Sequence, residues 1–310
     1  MRGLGLAIAA ALLIVVLAVV YAGIQLAQIS TEPLSLSAPP GQQRVLILGY
    51  GGGDHPGAYL SDSMLLLVTG SGAQAEISVP RDLWVQLPPN SGQYAKINAA
   101  LQMGYDSGGL SQGATLAALK VQQVTGLTPT GWVLEDFTGF RNMIDSLGGV
   151  DVNVQRTFSA QYPVNDNPNV DASWKIIHFD AGPQHMDGER ALEFARARYA
   201  DNPAEASDFA RSQRQQLLIA AIRQKVASPA GAVRMLPLVG AVSGAVHTSL
   251  SGAELAGLLS SLQASGGKRI SLDTDNVLVN GKSADGQDIL LPRNGNYNLI
   301  VDYVRQQLAS

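Results

Sequence analysis

From Leu4 to about Ile24 the chain is almost continuously apolar, and Arg2 is the sole charge before Glu32. A helix needs roughly 20 apolar residues to cross a bilayer core, whereas the apolar region of a signal peptide usually runs about 7–15. The pattern predicts a retained transmembrane anchor over residues 1–26, with Arg2 inside and the bulk of the chain extracytoplasmic. Residues 27–43 lose all periodicity and gather Pro33, Pro39, Pro40 and Gly41, which predicts a linker. Beyond it, apolar runs at 44–48 (RVLIL), 64–69 (MLLLVT) and 75–79 predict three strands, the first two separated by a glycine-rich turn at 50–57. Helical spacing follows at 96–104 and 114–125, and a short strand at 132–134. A helix at 137–147 is closed by Gly148 and Gly149, residues suited to a left-handed cap. The alternation VDVNV at 150–154 predicts a half-exposed strand, and residues 155–180 read as polar and irregular. Helices at 187–198, 208–226, 252–263 and 297–308, with short strands between 269 and 289, complete the chain. Strands alternating with helices, and no second linker, predict one α/β (α+β) domain over 44–310 with a mixed central sheet flanked by helices.

Composition narrows the chemistry. The absence of Cys excludes disulfide scaffolds, thiol nucleophiles and Cys-ligated metals, and suits an exported domain. A net charge of −4 argues against nucleic acid as a partner. The four His residues show no HExxH spacing, no GxSxG occurs, and Gly49-Tyr50-Gly51 lacks the third glycine of a dinucleotide turn. Gly281-Lys282-Ser283 lacks the first glycine of a phosphate-binding loop and reads as part of a surface hairpin.

The basic residues are lopsided. Of 21, 15 are Arg, and six of these (190, 196, 198, 211, 214, 223) fall in one stretch. Arg, unlike Lys, grips phosphate or carboxylate through a planar fork. On a helix Arg211, Arg214 and Gln215 share a face. Arg196 and Arg198 are two apart, so they can serve one pocket only where the helix ends between them and the chain extends. Asp62 and Asp82 each stand at a strand boundary. Two carboxylates without His or Cys form a hard-oxygen site suited to Mg²⁺ or Mn²⁺ held together with substrate phosphates.

The segments LSDSMLLLV, ISVPRDLWVQLP, KINAA, GFRNMIDSLGGVDVNV, DGERALEFARARY and DFARSQRQQ follow one another in the order of the motifs of LytR-CpsA-Psr proteins. The chain resembles that family over residues 44–226, with a tail similar to its C-terminal part. The resemblance implies an α/β fold with an apolar prenyl pocket. It implies a membrane-anchored phosphotransferase that moves a glycopolymer (teichoic acid or capsule, for example) from a polyprenyl-pyrophosphate carrier onto peptidoglycan. It further implies Asp62 and Asp82 as metal-associated positions. Arg81, Arg196, Arg198, Arg211, Arg214 and Gln215 fall at pyrophosphate-holding positions, with Arg81, Asp82, Arg196 and Arg198 central to catalysis. Two positions depart from the pattern: Leu60 stands where many members have Arg, and Gly51 where many have Asp. His55 or the backbone N–H groups of Gly51 to Gly53 are candidates to replace the missing Arg. A pyrophosphatase using water and a non-catalytic lipid-phosphate binder are the competing functions. The apolar spacing of Phe137, Phe140 and Ile144 is that of an ordinary core helix.

Overall fold

Leu46, Leu48, Leu66 and Ile77 are wholly buried, and the apolar runs that contain them form the middle of a seven-stranded sheet. The computed structural model describes residues 30–31, 41–70, 74–227, 246–263 and 267–310. The predicted anchor and most of the predicted linker lie outside these. Among the described residues no helix is long and apolar enough to cross a membrane.

The first half contains β1 (Ser30–Thr31), β2 (Gln42–Tyr50), β3 (Ser61–Gly70), β4 (Ala75–Ser78), β5 (Trp84–Gln86), β6 (Tyr94–Lys96), α1 (Ala99–Gly108), α2 (Leu110–Thr125), β7 (Gly131–Asp136) and α3 (Phe137–Ser146). The second half contains β8 (Val150–Val154), β9 (Phe158–Pro163), β10 (Trp174–Phe179), β11 (Gly182–Met186), α4 (Gly188–Arg196), α5 (Asp208–Ala227), β12 (Val246–Thr248), α6 (Gly252–Gln263), β13 (Lys268–Ser271), β14 (Leu278–Lys282), β15 (Asp288–Pro292) and α7 (Asn298–Ala309). The sheet order is β1-β12-β7-β2-β3-β4-β13. It is mixed: β2 pairs antiparallel with β3 and parallel with β7, and β4 pairs antiparallel with β3 and parallel with β13.

Alternation along the strands gives each face its own cover. Leu46, Leu48, Leu66, Ile77, Trp132 and Leu134 pack under α1, α2 and α7 through Leu101, Ala117, Val121, Ile300 and Val304. On the opposite face Val45 and Leu67 meet Leu250 and the α6 residues Leu255 and Leu258, while α5 ties to the sheet by an Arg223–Glu76 ion pair. A second core lies beside the sheet, where α3, α4 and α5 close over the antiparallel β8–β11 pair and the β9–β10 hairpin around Phe158, Phe179 and Phe194. Helices α3 and α4 touch backbone to backbone: a Cβ on Gly188 would lie 2.3 Å from the carbonyl oxygen of Arg141, so only glycine fits there.

Three expectations are corrected. Residues 155–180, read as irregular, hold β9 and β10. The helix read from residue 96 begins at Ala99, because Tyr94–Lys96 is a strand. Ser30–Thr31, inside the predicted linker, pairs parallel with His247–Thr248. The expected surface hairpin at 281–283 is present: Gly281 and Lys282 belong to β14 and pair with Ile289 and Asp288.

One charge of the sheet bears on stability. Burial, reinforced by the charge of neighbouring Asp136, pushes the Glu135 carboxyl up to about 8. Folded Glu135 therefore keeps its proton at pH values where the unfolded chain has lost it, so stability is greatest below the unfolded pKa and falls as pH rises towards 8. Glu135→Gln is expected to exceed the parent by about 2–4 kcal/mol at pH 8.5, with the gap closing towards pH 4.5. Urea unfolding at the two pH values measures it, and a constant gap would contradict it.

Candidate active site

Three sheet-derived segments converge at one end of β3 and β4. The glycine turn after β2 delivers Asp62 to the start of β3. The turn after β4 delivers Pro80, Arg81 and Asp82. The β5–β6 hairpin then folds back and delivers Lys96, and the backbone N–H groups of Ile97 and Asn98 donate to Leu83 O (2.8 Å) and Arg81 O (3.2 Å). Arg81 sits between the two carboxylates: its Nη1 is bonded to Asp62 Oδ1, and its Nε lies 3.5 Å from Asp82 Oδ2. Lys96 Nζ is 2.8 Å from the other oxygen of Asp82. Burial alone would raise the Asp82 carboxyl. The Lys96 hydrogen bond and the charges of Arg81, Lys96 and Arg198 outweigh it and hold the pKa below the ordinary aspartate value.

A fourth segment comes from the second core. Helix α4 is capped by Asp187, which accepts from the Arg190 N–H at 2.8 Å, and it ends at Arg196. Ala197 is extended (φ −46°, ψ 129°), and Arg198 bridges to Gln161 of β9. The helix thus stops between the two Arg, and both turn to the same site. Arg196 lies 3.9 Å above the Phe137 ring, donates to Tyr162 Oη (3.0 Å) and Asp166 Oδ1 (2.5 Å), and comes within 3.9 Å of Asp62. Arg198 comes within 3.9 Å of Asp82. Arg141 holds the far oxygen of Asp166 at 2.5 Å.

Two cavities meet here. One, of about 510 Å³, includes Leu60, Asp62, Arg81, Asp82, Trp84, Tyr94, Lys96, Phe137 and Arg196. The other, of about 780 Å³, includes Asp62, Arg81, Asp82, Lys96, Arg198, Arg211 and Gln215. Seven of the eight residues singled out from sequence therefore line this pair of cavities. Arg214 does not. It is 2 % exposed, and its guanidinium donates to Glu205 Oε2 (2.7 Å) and to the carbonyls of Phe194 (3.1 Å), Ala197 (2.6 Å) and Glu205 (3.0 Å). Its place is behind the site, where it clamps the bend that carries Arg196 and Arg198.

Phe137 lines the smaller cavity, whereas Ile144 is wholly buried and Phe140 packs beside it in the second core. Leu60 and His55 also line the smaller cavity, and the ring Nε2 of His55 is buried without a hydrogen-bond partner. Gly52 and Gly53 both adopt positive φ (74° and 86°), and the Gly52 N–H donates to the Ala58 carbonyl at 2.9 Å, which takes it away from the candidate anion nest.

The sequence reading missed Lys96 and Asp166. Lys96 stands in the KINAA segment but was absorbed into a predicted helix. Asp166 sits in a polar stretch without periodicity, and only the fold of β9–β10 brings it to Arg196.

A divalent cation fits the donor set conditionally. Among the described residues no group of three or more His, Cys, Asp or Glu is clustered for a metal. Asp62 and Asp82 offer carboxylate oxygens on a shared cavity wall, and Mg²⁺ is commonly held by one or two carboxylates plus substrate phosphates. A phosphate that drew Arg81, Arg196 and Arg198 to itself would leave both carboxylates short of positive charge, the condition under which such an ion belongs between them.

Comparison with known proteins gives concordant findings. The LytR_cpsA_psr family pattern matches residues 24–302. A Bacillus subtilis protein named polyisoprenyl-teichoic acid–peptidoglycan teichoic acid transferase TagV is 30% identical over 175 residues, 56% of this chain and 40% of that protein. A TagU of the same descriptive name from Oceanobacillus iheyensis is 28% identical over 228 residues, 73% of this chain and 64% of that protein. The chain thus spans about 40–64% of the length of these curated relatives. Among solved structures, B. subtilis TagV superposes with a TM-score of 0.65 at 22% identity, over 87% of this chain and 98% of that one. A structure described as TagT bound to LI-WTA superposes with a TM-score of 0.60 at 22% identity, over 87% and 92%.

Proposed function

Because the chain belongs to the LytR_cpsA_psr family, we propose that it transfers a glycopolymer from a polyprenyl-pyrophosphate carrier to a peptidoglycan hydroxyl. The relatives named as teichoic acid transferases support this reading. The observation that carries it is the convergence of Asp62, Asp82, Arg81, Arg196 and Arg198 from separate segments onto one junction of two cavities.

In the reaction the acceptor hydroxyl oxygen bonds to the sugar-bearing phosphorus, and the bond from that phosphorus to the bridging oxygen breaks. Polyprenyl phosphate leaves with the bonding electrons, and the hydroxyl proton passes to a carboxylate. Asp82 is ionised and placed to receive it, and its proton affinity rises once Arg81 and Arg198 turn from it to the phosphate. Arg81, Arg196 and Arg198 exchange their carboxylate partners for phosphoryl oxygens and stabilise the charge that grows on the leaving phosphate. Arg211 and Gln215 hold the lipid-linked phosphate from the larger cavity. Mg²⁺ or Mn²⁺, held by Asp62 and Asp82 with the phosphates, would neutralise phosphoryl charge when bound. The lipid tail suits the sheet face carrying the half-buried Ile47, Leu65 and Val133. We assign membrane attachment, with this domain extracytoplasmic, to residues 1–26.

The test uses a labelled lipid-pyrophosphate glycan as donor, with peptidoglycan fragments added. The expected products are a glycan–peptidoglycan adduct and polyprenyl phosphate in equal amounts, both abolished by EDTA and restored by Mg²⁺ or Mn²⁺. Lipid phosphate without adduct would make the protein a hydrolase. No turnover at all would reduce it to a binder, and turnover indifferent to EDTA would remove the metal.

A further inference from the structure

The β5–β6 hairpin carries an aromatic surface that the phosphate chemistry does not use. Its register, Trp84 opposite Lys96 and Gln86 opposite Tyr94, places these four side chains on one face, while Val85 on the other is buried in the core. Tyr94 is 49% exposed, and with Trp84 it lines the smaller cavity. An aromatic left this open is usually a mobile surface feature, but this hairpin is held on three sides. Lys96 is paired with Asp82 at 2.8 Å, Tyr297 Oη donates to the Trp84 carbonyl, and the buried Lys120 ammonium donates to the Gln86 carbonyl. The rings are therefore presented on a fixed support. Beside them stand Asn98 from the start of α1 and Asp285 and Gln287 from the β14–β15 hairpin. Asp285 is itself oriented by hydrogen bonds from Ser283 Oγ and from Gln287 Nε2 (2.6 Å).

We propose that the smaller cavity is the subsite for the acceptor glycan, with Tyr94 and Trp84 as stacking surfaces for a sugar ring and Asn98, Asp285 and Gln287 as partners for its hydroxyls. This rests on the transferase reading above. Flat apolar ring faces bordered by a few fixed polar groups are the composition of a small-ligand site, and a sugar presents the matching combination of C–H face and hydroxyl edge. The reaction geometry assigns the side. The attacking and leaving oxygens are roughly in line at phosphorus. With the lipid phosphate held by Arg198, Arg211 and Gln215, which line the larger cavity and not the smaller, the attacking hydroxyl is assigned to the smaller one. Asp62, Arg81, Asp82, Lys96 and Gln287 line both cavities, so the phosphorus is assigned to the place where the two meet.

The experiment measures adduct formation by the full chain while a soluble peptidoglycan glycan fragment and the lipid-pyrophosphate donor are varied in turn. Tyr94→Ala is expected to raise the KM for the glycan fragment about tenfold or more while the donor KM is retained, and Tyr94→Phe, which keeps the ring, to stay near the parent. A rise in donor KM instead would assign the rings to the donor's own sugar and overturn the proposal, as would an unchanged acceptor KM. A second measurement needs no turnover: the glycan fragment alone is titrated against intrinsic fluorescence, with Trp84→Phe identifying the Trp84 signal. A saturable change that Tyr94→Ala abolishes supports the subsite even if no transfer is found, and the transferase reading then fails by itself. Transfer together with an unresponsive Trp84 and an unaffected Tyr94→Ala sinks the subsite and leaves the transferase reading intact.

Discussion

Glu205→Ala is expected to cost about 3–5 kcal/mol of folding stability, the largest loss of any single substitution considered for this chain. Glu205 is 5% exposed and is the carboxylate partner of the buried Arg214 guanidinium at 2.7 Å. Removing it strands a cation where water cannot reach, which costs far more than the pair contributes relative to an apolar replacement. Urea unfolding measures the loss. Adding Arg214→Met to Glu205→Ala removes the stranded charge, so the double variant should be more stable than Glu205→Ala alone. It should not reach the parent, since the carbonyls of Phe194 and Ala197 lose their donor. The outcome also separates two roles for Arg214. A direct phosphate ligand would be replaceable with normal stability and a loss confined to donor binding, whereas a clamp loses stability first.

Arg196→Lys should lower kcat about 10²- to 10³-fold while changing the unfolding midpoint little. Charge is conserved in this change, so a pure Coulombic role would be preserved. Arg196, however, acts through its shape: its guanidinium carbon sits 3.9 Å from the centre of the Phe137 ring while one nitrogen serves both Tyr162 Oη and Asp166. A Lys ammonium is a compact point charge on a flexible stem, so it reproduces neither the contact with the ring face nor the fixed direction of those N–H bonds. Single-turnover release of polyprenyl phosphate reports the chemical step. A Lys variant with parental turnover would show that only charge matters there. Phe137→Leu gives an intermediate case, since it removes the shelf and keeps the guanidinium.

How much of this was legible in the chain depended on whether the signal was local. The central strands were legible because Leu46, Leu48 and Leu66 are buried within dense apolar runs. The helix predicted over 187–198 stops at Arg196, and Arg198 leaves on an extended segment, which is the condition under which two Arg two residues apart can face one pocket. The β9–β10 hairpin was not legible. In WKIIHF the adjacent Ile176 and Ile177 break alternation, and Trp174 and Ile176 point outwards at 60% and 68% exposure. Asp166 acquires its partner only through that hairpin, so its role is long-range. Arg214 was grouped with Arg211 and Gln215 because all three fall within one arc of the helix. At about 100° per residue, Gln215 lies about 40° to one side of Arg211 and Arg214 about 60° to the other. That difference carries Arg214 round the flank of α5 and into the contact with α4. Lys96 was hidden by YAKINAAL, a stretch whose apolar spacing fits a helix until the hairpin with Trp84–Gln86 claims its first three residues.

The junction of the two cavities bears on traffic as well as on chemistry. The transfer proposed here joins two polymers through one phosphodiester, so the product extends away from the phosphorus in both directions. A blind pocket with one mouth could release such a molecule only by threading a whole polymer back through it. Two cavities that share Asp62 and Asp82 give each polymer a cavity of its own, so neither has to thread past the other. The same layout would let the enzyme act on a glycan strand already built into the wall, since no chain end has to be found.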